Sequence, residues 1–551
     1  MKDATLSIIA LLHPTVHLIK NIPEIKISFL ISVFLLYDME NVLTNFKQKA
    51  GGTFMCKRAI SRSLLTVSIL VTGIFFSVPV MAYNVVVDNL GGISSNGSFV
   101  NHVWTPTGEP SNLSWADLQT EISSNNVEII TNGSGTITII PVFNCTLASD
   151  RQLTLTAQGG ITIGGINALA GTGKLNVVAH ATGPVSHITA GTHTNGGSFT
   201  SYGTDFSSPG GGISTSGGNV LLQHTGTVSI SGGGIRTGGG SFTSYGTDFS
   251  VSASALGTEG GNVNLHHSGT VSIIDFGVQT GGGSFTSSGT DFITGGNGLL
   301  TNGGNAVLNH TGTVTITSIR TDSGSFTSSG TDLLTTSSGL QTGGGNARLN
   351  HSGNLNLTEG GINTGGGSFT SSGTGFRTED NGLRTFGGNA SLTHTGNLEI
   401  TEGGIGTDGG DLRINSSATA SFSGNGVYTN GGTILVQSNG LIHVNTGAGF
   451  TSGPANGGDI TLRSATGITL DSPVSSLPGT GGVLSLEGNT AAIVLNMSPV
   501  LGAGNITLYV GSLQPASIPT LSEWGMIIMS FILLMAALQA IRQKTGFSSQ
   551  A

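Results

Sequence analysis

Five histidines recur in the middle of the chain at intervals of 41 or 43 residues, and imidazole is both a common zinc ligand and a general base. They are His224, His267, His310, His351 and His394. Two ligands of one zinc ion lie at most ~4.2 Å apart. If each interval spans two turns of a stacked-strand coil, neighbouring histidines lie ~9.6 Å apart. We therefore predict no metal site, and histidines at the corners of the coil that bond to backbone groups.

Aspartates recur at the same interval within a Gly-Thr-Asp turn, as Asp205, Asp248, Asp291 and Asp332, and Gly375 breaks the series. A calcium ion needs several oxygen ligands within ~2.6 Å. One carboxylate for every two turns of a coil does not supply them. We predict that these aspartates form turns and that the protein has no cofactor.

Charged residues are scarce, with 28 Asp or Glu and 19 Lys or Arg among 551 residues. Glycan-cleaving sites need clustered carboxylates together with a cation that stabilises developing charge. The adjacent pair Asp150 and Arg151 is the nearest candidate, and it stands alone. We predict no catalytic residue and no enzyme. The alternative is a β-helical polysaccharide lyase or hydrolase with its site in a lateral groove. The net charge of −9 argues against a nucleic-acid partner.

A long internal repeat organises the region from about 190 to 410. The phenylalanine of Gly-Ser-Phe-Thr-Ser recurs as Phe199, Phe242, Phe285, Phe326 and Phe369. Each unit divides into two halves of about 21 residues, and each half opens with a glycine-rich turn. Such a period indicates stacked units, each of which buries its apolar face against its neighbours.

Apolar residues alternate with polar ones in three short runs per half-repeat. The first run in one half-repeat places Val220 and Leu222 on one side, the second Val228 and Ile230, and the third Ile235. Alternation with a period of two indicates β-strands. We predict an all-β fold: a right-handed parallel β-helix over 119–510 with three strands per rung, preceded by an N-terminal cap over 83–118.

The segment 55–82 has the basic, apolar and small-residue regions of a secretory signal peptide. We predict export by the Sec machinery and cleavage between Ala82 and Tyr83. Residues 1–54 are then expected to be an extension from a start site placed too far upstream. Removal of the signal peptide, which includes Cys56, leaves Cys145 as the single thiol.

The C-terminal region contains a short motif, then an apolar run from Met526 to Ile541, then Arg542 and Lys544. The motif residues are Ile518, Pro519, Thr520, Leu521, Trp524 and Gly525. We predict a transmembrane helix within 518–544 whose basic end stays cytoplasmic. This region resembles the IPTL-CTERM sorting domain of Gram-negative bacteria. The resemblance implies transient anchoring in the inner membrane, recognition by an exosortase-type enzyme, and transfer to the cell surface.

Three runs near the start of the predicted coil, 113–118, 126–131 and 153–163, are similar to filamentous-haemagglutinin-type adhesins. This resemblance implies a right-handed β-helical adhesin. We therefore expect an exported protein of the cell surface or extracellular matrix that binds a surface glycan or another host or cell ligand.

Overall fold

The computed structural model describes residues 82–89, 92–169, 171–454 and 457–513. They form an all-β parallel solenoid of about 19 turns with almost no helix. The predicted fold class is confirmed to that extent, including three short strands per rung. The predicted upstream extension, the signal peptide up to Met81 and the C-terminal transmembrane helix lie outside the described residues. Within the described residues, no helix is long and apolar enough to cross a membrane.

Face A of the coil consists of the first strand of every rung. Its strands are Val103–Pro106, Val127–Ile130, Arg151–Ala157, Leu175–Ala181, Phe199–Gly203, Val220–His224, Phe242–Gly246, Val263–His267, Phe285–Gly289, Ala306–His310, Phe326–Gly330, Ala347–His351, Phe369–Gly373, Ala390–His394, Leu412–Ser416, Ile434–Ser438, Ile460–Ser464, Leu484–Gly488 and Ile506–Val510. Each strand pairs in parallel with its neighbours. At ~4.8 Å per rung the coil is about 90 Å long.

Faces B and C consist of the second and third strands of each rung. The face B strands are Val85–Asp88, Ser111–Ser114, Ile137–Ile139, Ile161–Ile163, Val185–His187, Phe206–Ser208, Val228–Ile230, Phe249–Val251, Val271–Ile273, Phe292–Thr294, Leu355–Leu357, Phe376–Thr378, Leu398–Ile400, Ala420–Phe422, Ile442–Val444, Ile468–Leu470 and Ile493–Leu495. The face C strands are Phe143–Thr146, Ile166–Leu169, Thr192–His193, Ile213–Ser214, Ile235–Arg236, Leu256–Gly257, Val278–Gln279, Leu299–Leu300, Ile362–Asn363, Leu383–Arg384, Ile405–Gly406, Val427–Tyr428, Phe450–Thr451 and Val474–Ser475. Two longer strands, Val314–Arg320 and Leu333–Gln341, run through both faces.

The N-terminal end of the coil is covered by a hairpin and a helix. The strand Gly97–Val100 pairs antiparallel with Val103–Pro106. The helix Trp115–Ser124 begins after Ser114, whose hydroxyl accepts a hydrogen bond from the Asp117 amide at 3.1 Å. The helix buries Leu118 and Ile122. It therefore crosses residue 118, the predicted boundary between cap and coil.

The C-terminal end departs from sequential stacking. Strand Ile506–Val510 pairs on one side with Ile460–Ser464 and on the other with Leu484–Gly488, so the earlier of the last two strands is outermost. A single 3-10 turn, Thr490–Ala492, lies in the same terminal rung. Val483 is 61% exposed there. The outermost strand is thus an edge with little cover among the described residues.

The core explains why the repeat spans two rungs. Inward positions on face A alternate between large and small side chains, so that Phe285 stands in register with Ala306, and Ala306 with Phe326. The next inward position alternates in the opposite sense, with Ser287 beside Leu308. Each phenylalanine therefore occupies volume that the neighbouring rung leaves free, and a well-packed core requires this complementarity.

Cys145 lies in the same core, buried and unpaired. Desolvation raises the pKa of its thiol to about 12, so the thiol is protonated and unreactive at neutral pH.

A column of buried threonines forms the corner between faces C and A. In each of these rungs the hydroxyl donates to the carbonyl oxygen of the residue three positions later, and in most rungs it also lies near a threonine carbonyl oxygen of the next rung. The column consists of Thr194, Thr215, Thr237, Thr258, Thr280, Thr301, Thr321, Thr342, Thr364, Thr385, Thr407 and Thr429. These hydroxyls satisfy carbonyl groups that the turn leaves without strand partners.

The residues after each threonine turn the chain. Gly281 and Gly282 have φ of 63° and 107°, in the left-handed region. Gly283 has an ordinary φ, but a Cβ at this position would collide with the carbonyl oxygen of Gly261 in the preceding rung. The rungs approach so closely here because no side chain separates them, which makes this glycine a steric requirement.

The substitution Gly283→Ala is expected to destabilise the surrounding rungs by about 1–3 kcal/mol, because the backbones must move apart. The matched control is Gly257→Ala, because an added Cβ at Gly257 meets nothing within 4 Å. Thermal unfolding and limited proteolysis of both variants measure the effect. Equal melting temperatures for the two variants would contradict the steric reading.

Candidate functional site

The five periodic histidines lie inside the coil, where each ends its face A strand and is at most 5% exposed. The Nε2 atom of His267 lies 3.1 Å from the Ser244 hydroxyl in the preceding rung. The other pairs are Ser201–His224, Ser287–His310, Ser328–His351 and Ser371–His394, at 3.0–3.1 Å. The inward position agrees with the sequence pattern. The partner differs from the predicted backbone group: it is a serine side chain.

The two-rung alternation makes room for each imidazole. Gly246 is in register with His267, and a Cβ on Gly246 would lie 3.2 Å from the ring. The Phe249 ring, in the same preceding rung as Gly246, has its centroid 5.3 Å from that of His267. The histidine therefore packs as part of the core, against a glycine backbone and an aromatic ring.

Burial keeps these histidines neutral. Desolvation lowers the pKa of His267 to about 4, and attraction to the Asp248 carboxylate opposes this only in part. The other four histidines and His187 also have a pKa of about 4, with burial as the main cause. The Nδ1 atoms of the five periodic histidines have no hydrogen-bond partner among the described residues. If the proton is on Nε2, the unpartnered Nδ1 atom is an unprotonated acceptor, and no N–H group of these five rings lacks an acceptor.

Each Ser–His pair has the composition of a nucleophile and its base, but a substrate would have to enter the packed core to reach it. Ser244 is 0% exposed. Neighbouring pairs are two rungs apart, and no three His, Cys, Asp or Glu side chains in the described part of the chain could hold a metal ion together. These Ser–His pairs therefore contribute to the packing and stability of the coil.

Acidification is expected to destabilise the coil through these histidines. Their pKa is about 4 in the fold and 6.5 in the unfolded chain. Their contribution to stability is therefore complete above pH 6.5 and is lost as the pH falls towards 4. The full loss is about 3 kcal/mol for each histidine.

Thermal unfolding of His267→Gln at several pH values between 7.5 and 4 tests this expectation, with His266→Gln as the matched control. His266 precedes His267 on the same strand and is exposed. Between pH 6.5 and 4, the stability of the His267 variant should fall less than that of the unaltered chain, by the contribution of one buried histidine. The His266 variant should show the full fall in stability. Parallel pH profiles for both variants and the unaltered chain would refute the assignment.

The periodic aspartates join successive rungs at the surface. The Asp248 carboxylate accepts a hydrogen bond from the Thr270 amide, one rung later, at 2.8 Å. Asp205, Asp291 and Asp332 make the same bond, at 2.7–2.8 Å. At the opposite end of the face A strands, the side-chain Oδ1 of Asn262 accepts a hydrogen bond from the Ser284 amide. The aspartates predicted to form turns thus also join rung to rung, and this partner was not evident from spacing alone.

Charged side chains in the described residues form small, separate groups. The ion pairs are His102–Glu121, Arg320–Asp322, His443–Asp471, and Arg377 with Glu379 and Glu399. The pair Asp150 and Arg151 was the nearest candidate for a glycan-cleaving site. The Asp150 carboxylate accepts a hydrogen bond from the Lys174 amide, and the Arg151 guanidinium donates to the backbone oxygens of Asp150 and Ser123. Both side chains therefore hold local backbone, and they do not converge on a common point.

The predicted processing residues are divided between described and undescribed parts of the chain. Ala82 is exposed, and the Tyr83 amide donates to the Asn132 carbonyl oxygen at 3.2 Å. Hydrogen bonding to the coil thus begins at the residue predicted to be the mature N-terminus. The motif residues Ile518, Pro519, Thr520, Leu521, Trp524 and Gly525 lie outside the described residues.

Comparison with known families identifies the C-terminal segment. Residues 516–543 match the IPTL-CTERM motif. This motif is a C-terminal sorting signal, so the chain combines a β-solenoid with a signal typical of exported proteins. Searches of curated proteins and of solved structures found no match.

Proposed function

We propose that this protein is an exported, adhesin-like β-solenoid that is displayed on the cell surface or in the extracellular matrix. The observation that carries the proposal is the position of the sorting signal relative to the coil. The last described strand of the coil ends at Val510, and the IPTL-CTERM match begins at residue 516. A sorting signal that directly follows a rigid coil is suited to delivering that coil to the cell exterior.

The proposed route begins with a signal peptide over 55–82, Sec export, and cleavage between Ala82 and Tyr83. A helix within 518–544 then holds the chain in the inner membrane of a Gram-negative cell. An exosortase-type enzyme recognises the motif and releases the protein to the surface. In this proposal the coil is right-handed and functionally similar to haemagglutinin-type adhesins.

Adhesion is favoured over catalysis by the surface chemistry of the coil. Outward positions on face A carry mainly hydroxyl and amide groups, such as Thr243, Asn264 and Thr286 in successive rungs. Such a face offers many equivalent, weak hydrogen-bonding positions along its length. Repeated weak contacts on one rigid body add up to strong attachment through avidity.

Cell fractionation and mapping of both termini by mass spectrometry test the proposed route. The expected mature chain starts at Tyr83, ends near the motif and is found in the surface or medium fraction. Pro519→Ala and Trp524→Ala should leave an unprocessed chain in the inner membrane. Ser549→Ala is the control, because this residue lies outside the matched segment 516–543. Normal surface delivery of both motif variants would contradict the route.

Adhesion and catalysis are separated by two further measurements. Cells that lack the protein should attach less to a surface or to other cells than cells in which it is restored. The alternative function is a β-helical polysaccharide lyase or hydrolase. Release of oligosaccharides from an acidic polysaccharide by the purified full chain would support that alternative and overturn the adhesin proposal.

A further inference from the structure

Tyr428 stands out in the column of outward residues on face C. The column is in register from rung to rung, and Arg384 is followed by Gly406 and then by Tyr428. A Cβ at Gly406 would collide with the phenol ring of Tyr428, so the ring occupies the space over this glycine. The Arg384 guanidinium donates to the Tyr428 hydroxyl, and its central carbon is 5.5 Å from the ring centroid. The ring is therefore fixed against the sheet from two sides.

The ring forms part of a shallow groove of about 490 Å³ that extends across three rungs. The groove is also lined by Asn425, Asn430, Thr451, Ser475 and Leu477. Three rungs correspond to two rung spacings, or ~10 Å, which is the length of a disaccharide unit in an extended glycan. None of the lining residues that the structure describes is charged.

The polar groups of the groove retain hydrogen-bonding capacity. The Thr451 and Ser475 hydroxyls accept bonds from the Gly453 and Leu477 amides at 3.3 and 3.5 Å, which leaves both hydroxyl protons available to donate. The Asn430 side chain donates to Asp408 at 2.6 Å, which leaves its carbonyl oxygen available to accept. The Asn425 side chain makes no hydrogen bond within the described residues.

We propose that this groove binds a short segment of a neutral polysaccharide. One sugar ring packs its apolar face on Tyr428, and its hydroxyls bond to the amide and hydroxyl groups along the groove. The described lining is uncharged and does not compensate the desolvation of a carboxylated sugar, and the Asp408 carboxylate that binds Asn430 beside the groove repels one. The inference deepens the proposed function and rests on it, because it names the ligand class through which the displayed coil adheres.

The test uses the full chain purified in detergent and calorimetric titration with cellohexaose, xylohexaose and mannohexaose. Hexagalacturonate serves as the acidic probe. We expect at least one neutral probe to bind and the acidic probe not to bind. Tyr428→Ala should weaken that binding about tenfold through the lost ring contact, whereas Tyr428→Phe should retain most of it. Tyr245→Ala is the matched control, because Tyr245 is an exposed tyrosine on face A.

A second variant tests whether weaker binding results from displacement of the Tyr428 ring or from a loss of folding. Gly406→Ala should displace the Tyr428 ring and weaken binding, while circular dichroism and melting temperature show an intact coil. The groove assignment is overturned if no neutral probe binds, if only hexagalacturonate binds, or if Tyr428→Ala binds as tightly as the unaltered chain.

Failure of the groove is distinguishable from failure of the proposed function. If Tyr428→Ala reaches the surface and supports normal attachment, the groove inference is wrong and the adhesin proposal stands. If the unaltered chain never leaves the inner membrane, the proposed function fails. Titration of the purified chain still decides in that case whether the groove takes a neutral glycan.

Discussion

The close approach of backbones at the corner between faces C and A governs the structure. At Gly283 and its equivalents the neighbouring rung is so near that no side chain fits, and the hydroxyl of Thr280 satisfies the carbonyl groups of the tight turn. This corner fixes where each rung begins, so every strand that follows enters its face in the same register. The parallel pairing, the inward apolar columns and the polar outer faces all depend on that repeated starting point.

The second constraint acts between rungs. Phenylalanine in one rung requires alanine or valine in the next, and the histidine that ends a strand requires a glycine opposite it and a serine to bond. Polar groups inside the coil are therefore part of its packing, each in a space shaped by the adjacent rung. The same burial that keeps the imidazoles neutral removes them from any surface chemistry, so interactions with other molecules fall to the outer faces.

Much of this architecture was predictable from local pattern, because a strand with one buried face has apolar residues at every second position of its sequence. Val220 and Leu222 are buried as predicted. The threonine column was not predicted: Thr280 shares the parity of the buried Val278, but its hydrogen-bond partners lie at the turn and in the next rung, which the alternation does not reveal. The order of the last two face A strands could not be predicted from the sequence either. Leu484–Gly488 and Ile506–Val510 both alternate apolar and polar residues, and this alternation does not show which of them pairs with the preceding rung. The Tyr428 groove depends on Gly406 one rung away, a relation that appears only once the register is known.

The alternation of large and small rungs also bears on how such a chain can change its length over generations. Loss of a single rung would bring two phenylalanine rungs or two small-residue rungs into contact, and loss of two restores every neighbour to its proper type. Near-identical repeats are prone to unequal recombination, so the gene can gain or lose 43-residue units while each product still folds. The distance between the N-terminal cap and the C-terminal end of the coil becomes a heritable variable, adjusted in steps of ~10 Å. Selection can therefore change the length of the coil without altering the structure of any corner.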